Sequence, residues 1–207
     1  MDWLPVSAAL LLTGALALCL GSFLLPSSEG ATDTLVIVQE QGGQWMTVAV
    51  IFFIASVCLT LGLPSILTLF DRRGRTLGMV SAIVLEVGFI GTAGFSMLMV
   101  FFRALVVSNA LRHNGLDDAT SEAGLTAFLY VWIIGLYLGE LLLGIALLRA
   151  RTTPRWVPIV LILHALSFTV SSVLPELLGK AMILLLVAGY AGIAVQATSP
   201  ATRSRFS

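Results

Sequence analysis

Residues 124–149, GLTAFLYVWIIGLYLGELLLGIALLR, are apolar almost throughout and carry one carboxylate, Glu140, deep inside. A run of this length exceeds the roughly 20 apolar residues that a helix needs to cross a hydrocarbon layer. An acid inside such a run is costly, so it marks a functional site by default. Tyr130 and Tyr137 precede Glu140 by ten and three residues, spacings that return to one helical face. A spanning helix with a buried acid on it sets the reading of everything around it.

Runs of the same kind recur along the chain, at about 4–25, 45–70, 76–107, 124–148, 156–174 and 179–197. The 207 residues are 58% hydrophobic and 11% charged, where soluble domains carry about 25% charged residues. Mean hydropathy is +1.02. The expected fold is all-α, a six-helix integral membrane bundle forming a single transmembrane domain over residues 1–207. Zero net charge gives no reason to expect nucleic acid as a partner; the partners expected are membrane lipids and a lipidic small molecule. Nothing in the sequence sets an oligomeric state. Cys19 and Cys58 both fall inside apolar runs and read as free thiols packed as small hydrophobes. The first run is too long for a signal peptide, and Asp2 precedes it in place of a basic residue.

Basic residues set the expected orientation. Arg72, Arg73 and Arg75, then Arg149, Arg151 and Arg155, then Arg203 and Arg205 flank one set of span ends. Only Arg103, Arg112 and Lys180 lie on the other side. The positive-inside rule then puts both termini in the cytoplasm, with the chain in the cell membrane. The segment 26–44, with Glu29, Asp33 and Glu40, reads as a polar loop ahead of the interfacial anchor Trp45.

Depth brings the polar residues together. At about 1.5 Å per residue, Glu86, Glu140 and His164 each fall roughly 12–15 Å from the basic face. They lie in three consecutive spans, and no Lys or Arg shares their level. Thr13, Thr60 and Tyr190 come close to the same depth. The expected catalytic set is therefore Glu86, Glu140 and His164, with two uncompensated acids able to hold one proton between them. Phe89, Tyr130, Trp132, Tyr137 and Tyr190 are the candidates for substrate contact, and Trp45, Arg103 and Glu176 for a cavity mouth. A plainer alternative exists for each acid, a structural hydrogen bond to a neighbouring carbonyl or hydroxyl. For His164 that alternative is interhelical glue. Gly135, Gly139 and Gly144 read as close-packing positions.

Two segments carry a resemblance in layout, Leu69-Phe70-Asp71-Arg72-Arg73-Gly74-Arg75 before the third span and Thr153-Pro154-Arg155-Trp156 before the fifth. With the span pattern, the chain resembles a family of small bacterial six-span membrane proteins, which implies no activity. A looser resemblance is to small integral-membrane terpene cyclases of the actinobacterial and fungal meroterpenoid type. That resemblance implies an acid-initiated cyclisation of an isoprenoid, with an intramembrane carboxylic acid as proton donor. The aromatic faces would then stabilise a cation. The expected function is such a membrane enzyme. The alternatives are a proton-coupled small-molecule transporter and a non-catalytic membrane partner protein. No cofactor or metal is implied: there is no Gly-rich nucleotide loop and no His-Glu-x-x-His, and one span histidine is too few to hold a haem between two.

Overall fold

Inside a hydrocarbon layer a backbone must satisfy its own hydrogen bonds, so each apolar run becomes a helix. The computed structural model describes residues 3–26, 31–70, 74–108, 110, 122–170 and 175–199, without the side chains of 31–33 and 176. All regular structure among them is helical: α1 Leu4–Leu24, α2 Ala31–Glu40, α3 Gly42–Leu67, α4 Arg75–Val107, α5 Ala123–Ala150, α6 Trp156–Val170, α7 Glu176–Ala181 and α8 Ile183–Ala197. Five stretches are long and apolar enough to cross a membrane: α1, α3, α4, α5 and the continuous run Leu177–Ala197. The chain is a multi-pass membrane protein.

Three sequence expectations shift. The fifth span is described as a helix of 15 residues. That is about 22 Å of rise, short of a hydrocarbon core of about 30 Å, and residues 171–174 lie outside the described residues. The segment 26–44 is not all loop. It holds α2, whose Val38 is buried against the bundle, and α3 already starts at Gly42. The last span starts early as α7 and resets at Met182 before α8.

Helices close into a ring in chain order. Contacts join α1 to α3, α3 to α4, α4 to α5, α5 to α6, α6 to α8 and α8 back to α1. Small residues set the closest approaches, as expected where van der Waals packing drives association. A methyl group on Gly88 would sit 2.6 Å from the Leu136 nitrogen, and one on Gly139 would sit 2.8 Å from the Leu85 nitrogen. Gly62 meets the Leu11 backbone in the same way. Gly144 approaches the Pro158 carbonyl, so all three expected packing glycines of α5 do pack.

Pro64 has no N–H and disturbs the last turns of α3. Ser7 of α1 repairs them: its hydroxyl lies 2.9 Å from the Leu61 carbonyl and accepts the Ser65 N–H at 3.1 Å. At the far end of α1, Gln44 donates to the Leu24 carbonyl at 2.7 Å and Lys180 to the Leu25 carbonyl at 3.1 Å. Two of the orphan carbonyls of the helix end are thus satisfied.

The two halves of the ring differ. Near the end carrying Arg75, Arg149 and Arg155, the centre is filled by Leu11, Leu59, Leu143, Leu147, Leu161 and Ile193, all at 0–1% exposure. In the other half the ring leaves a cavity.

Candidate functional site

Glu140 sits at the boundary between the filled half and the cavity. It is fully buried, and its Oε2 lies 2.5 Å from Nδ1 of His164 on the next helix. The depth match placed these two residues at one level, and the ring places them side by side. With Nδ1 committed to the carboxylate, Nε2 is the ring nitrogen left for a ligand. A carboxylate that holds an imidazole in this way orients the ring and fixes its tautomer.

The cavity above measures about 270 Å³, and every helix of the ring contributes to its wall. Its lining is predominantly apolar, and His164 stands in it, whereas Glu140 does not. Two aromatic groups shape the space. Trp132 stacks on Phe95 at 4.5 Å, and its indole N–H donates to the Thr92 hydroxyl at 2.9 Å. Phe52 leans on Phe95 from α3 at 6.2 Å. Across the cavity, Tyr137 stacks on both His164, at 5.5 Å, and Phe168, at 4.7 Å. The imidazole is therefore held by the carboxylate on one side and by an aromatic face on another.

A second, smaller chamber of about 90 Å³ adjoins the first. The two share Ser22, Tyr137, His164, Phe168 and Ile183. Ser167 and Gly179 belong to the smaller one alone.

Glu86 is not brought to this site. Leu85 packs against Gly139, so Glu86 does lie at the level of Glu140. However, α4 meets α5 along Val84, Gly88 and Gly91. Glu86 stands two residues from Val84 and from Gly88, about 200° around the helix. It is half-buried on the opposite flank, and its Oε2 has no hydrogen-bond partner among the described residues. The expectation of two acids sharing a proton is thus replaced by one acid sharing a hydrogen bond with a histidine.

The remaining expected residues divide. Trp132 and Tyr137 line the cavity. Tyr190 is fully buried outside the cavity lining, within electrostatic reach of Glu140, and its hydroxyl is unpaired among the described residues. Phe89 lies in the α3–α4 interface, where its carbonyl accepts the Ser56 hydroxyl at 2.5 Å. Tyr130 is 59% exposed and does not line the cavity. Trp45 is buried and donates to the Met99 carbonyl at 2.9 Å, and Arg103 packs beside Gly42. Neither lines the cavity, and the Glu176 side chain lies outside the described residues. Residues not anticipated are Ser22, Phe52, Thr92, Phe95, Ser167 and Phe168. Their one sequence signal was register with the dyad: Phe168 follows His164 by four residues, one turn of helix.

Comparison with protein-family models, with curated proteins and with solved structures yields no match. The resemblances in layout therefore rest on the quoted segments alone. The chain is a membrane-spanning helical protein.

Proposed function

We propose that this protein is an integral-membrane enzyme that moves a proton on a small lipidic molecule of isoprenoid size, with His164 Nε2 as the working atom. The observation that carries the reading is the Glu140–His164 hydrogen bond at the floor of an aromatic-walled cavity. Sequence resemblance suggested a carboxylic acid as the donor. The burial of Glu140 outside the cavity supports a different division of labour. Glu140 holds Nδ1 and orients the imidazole, and His164 meets the substrate.

One reaction class fits without any added reagent. Imidazolium Nε2–H gives its proton to an epoxide oxygen, the adjacent C–O bond breaks, and a carbocation develops on the carbon. Trp132, Tyr137 and Phe95 offer π faces to that charge. Loss of a proton from a neighbouring carbon back to Nε2 ends the cycle as an isomerisation or a ring closure. The predominantly apolar lining favours this outcome over capture by water. The same dyad is also suited to a proton-coupled carrier, which the test must separate. We place both termini in the cytoplasm of a bacterial membrane, on the strength of the basic residues at one set of helix ends.

The test is turnover by purified protein in nanodiscs, given epoxides and alcohols of about ten carbons, with products read by gas chromatography and mass spectrometry. Product is expected from the unaltered protein and from Glu86→Gln, and not from His164→Gln or Glu140→Gln. Proton-coupled flux of the same compounds into liposomes, abolished by His164→Gln and without chemical change, would refute the enzyme and establish a carrier.

A further inference from the structure

The two chambers that meet at His164 have different chemistry, and the proposed function does not use the smaller one. The larger is walled mostly by hydrocarbon and aromatic rings, with Thr92 and the shared Ser22 and His164 as its polar members, and holds about 270 Å³. At the roughly 30 Å³ that a heavy atom such as water occupies in a liquid, this is room for on the order of ten non-hydrogen atoms. The smaller, about 90 Å³, has Ser22 on one helix and Ser167 on another, with Gly179, Met182 and the shared Tyr137, Phe168 and Ile183 in the rest of its wall. The Ser167 hydroxyl gives its hydrogen to the His164 carbonyl at 2.6 Å, so its oxygen is left as an acceptor. Ser22 donates to no described residue, so its hydroxyl offers a donor. One acceptor, one donor and the edge of an imidazole line a space of two or three heavy atoms.

We infer that the site is bipartite and takes an amphiphile, with an apolar body in the larger chamber and one uncharged hydroxyl-type head between Ser22 and Ser167. His164 stands at the junction, against the carbon next to the head. This deepens the proposed function, since it rests on the same cavity, and it names what the substrate must carry. An alcohol both donates and accepts, which is the pattern that the two serines present. A carboxylate or phosphate would need a cation of its own, and the one group of the lining that can carry positive charge, His164, is already paired with Glu140. A pure hydrocarbon would leave the serine hydroxyls facing apolar atoms, which costs the pairing each could make.

The test uses 10-bromodecan-1-ol and 1-bromodecane with the detergent-solubilised full chain. Bromine quenches indole fluorescence on contact, and Trp132 lies in the larger chamber. The Trp132 signal is taken as the difference between the unaltered protein and Trp132→Phe. The alcohol is expected to quench it saturably, at about tenfold lower concentration than the alkane, as one to two hydrogen bonds would give. In Ser22→Ala/Ser167→Ala the two probes should come within about twofold of each other. Equal affinity of alcohol and alkane for the unaltered protein would overturn the bipartite site and leave the proton-transfer reading standing. No Trp132 quenching by either probe would overturn both. The comparison of probes needs no variant beyond the reporter, so a misfolded serine mutant cannot rescue the idea.

Discussion

Replacing His164 with Leu should reveal whether Glu140 and His164 are a true pair. In the unaltered protein one carboxylate oxygen is hydrogen-bonded to the imidazole, the other has no partner among the described residues, and the residue has no exposure. Removing the imidazole leaves both oxygens unpaired. Breaking a buried pair costs about 3–5 kcal/mol when the orphan stays charged. Protonation of the acid sets a lower limit, that of an unpaired neutral polar group, about 1–3 kcal/mol. A loss of about 2–4 kcal/mol follows, which for a chain of 207 residues is a fall in Tm of roughly 4–16 °C. Leu is close to His in volume, so packing contributes little to this figure. Glu140→Met/His164→Leu removes both polar partners and should recover to within about 1 kcal/mol of the starting protein. The assay is a double-mutant cycle by equilibrium unfolding in mixed micelles, with thermal melts in parallel. A single-mutant loss under about 1 kcal/mol, with the two substitutions additive, would refute the pairing and the reading of the site built on it.

Three further outcomes are expected. Glu86→Leu, which removes a half-buried carboxyl with an unpaired oxygen, should stabilise the protein by about 1–3 kcal/mol and leave bromodecanol binding unchanged; weaker binding would place Glu86 in the cavity after all. Gly88→Ala puts a methyl group 2.6 Å from a backbone nitrogen of α5 and should cost more than about 3 kcal/mol, whereas Gly43→Ala, with nothing within 4 Å, should be silent in the same melts. Glu122 caps α5: the Leu125 N–H at 2.8 Å, then the Gly124 backbone, hold its carboxyl below the ordinary value of 4.5. That contribution is complete above pH 4.5 and is lost as pH falls through the lowered value. The protection of the Leu125 and Thr126 amides, taken relative to the free peptide at the same pH, should therefore fall on acidification below that point, and Glu122→Gln should flatten the response.

Helices, their order and the depth of each polar group were legible because they depend on one dimension. Hydropathy marks the runs, and a constant rise per residue turns sequence position into height. On that basis Glu140 and His164 were placed at one level, and they do meet. Leu85 against Gly139 shows that Glu86 was placed at the right height as well. Its failure to join the site is an error of azimuth. Glycines held part of the missing information: Gly88 and Gly91 on α4 with Gly135 and Gly139 on α5 mark where these helices touch, and Glu86 is not on that seam.

Azimuth is hard to read in a membrane chain for a physical reason. A soluble helix shows a polar stripe to water and an apolar stripe to the core, so its inward face is written in its sequence. Here lipid and protein interior are equally apolar, and the spans are hydrophobic around their whole circumference. Composition and spacing alone therefore determined that the chain crosses a membrane, roughly where each helix runs, and which polar residues share a height. Only the closing of the helices into a ring decided that Glu140 faces His164, that Glu86 faces away, and that Ser22, Trp132, Tyr137 and Phe168 gather around one hollow. Contacts of that kind arise from van der Waals fit between neighbouring helices, and no single helix carries a record of them.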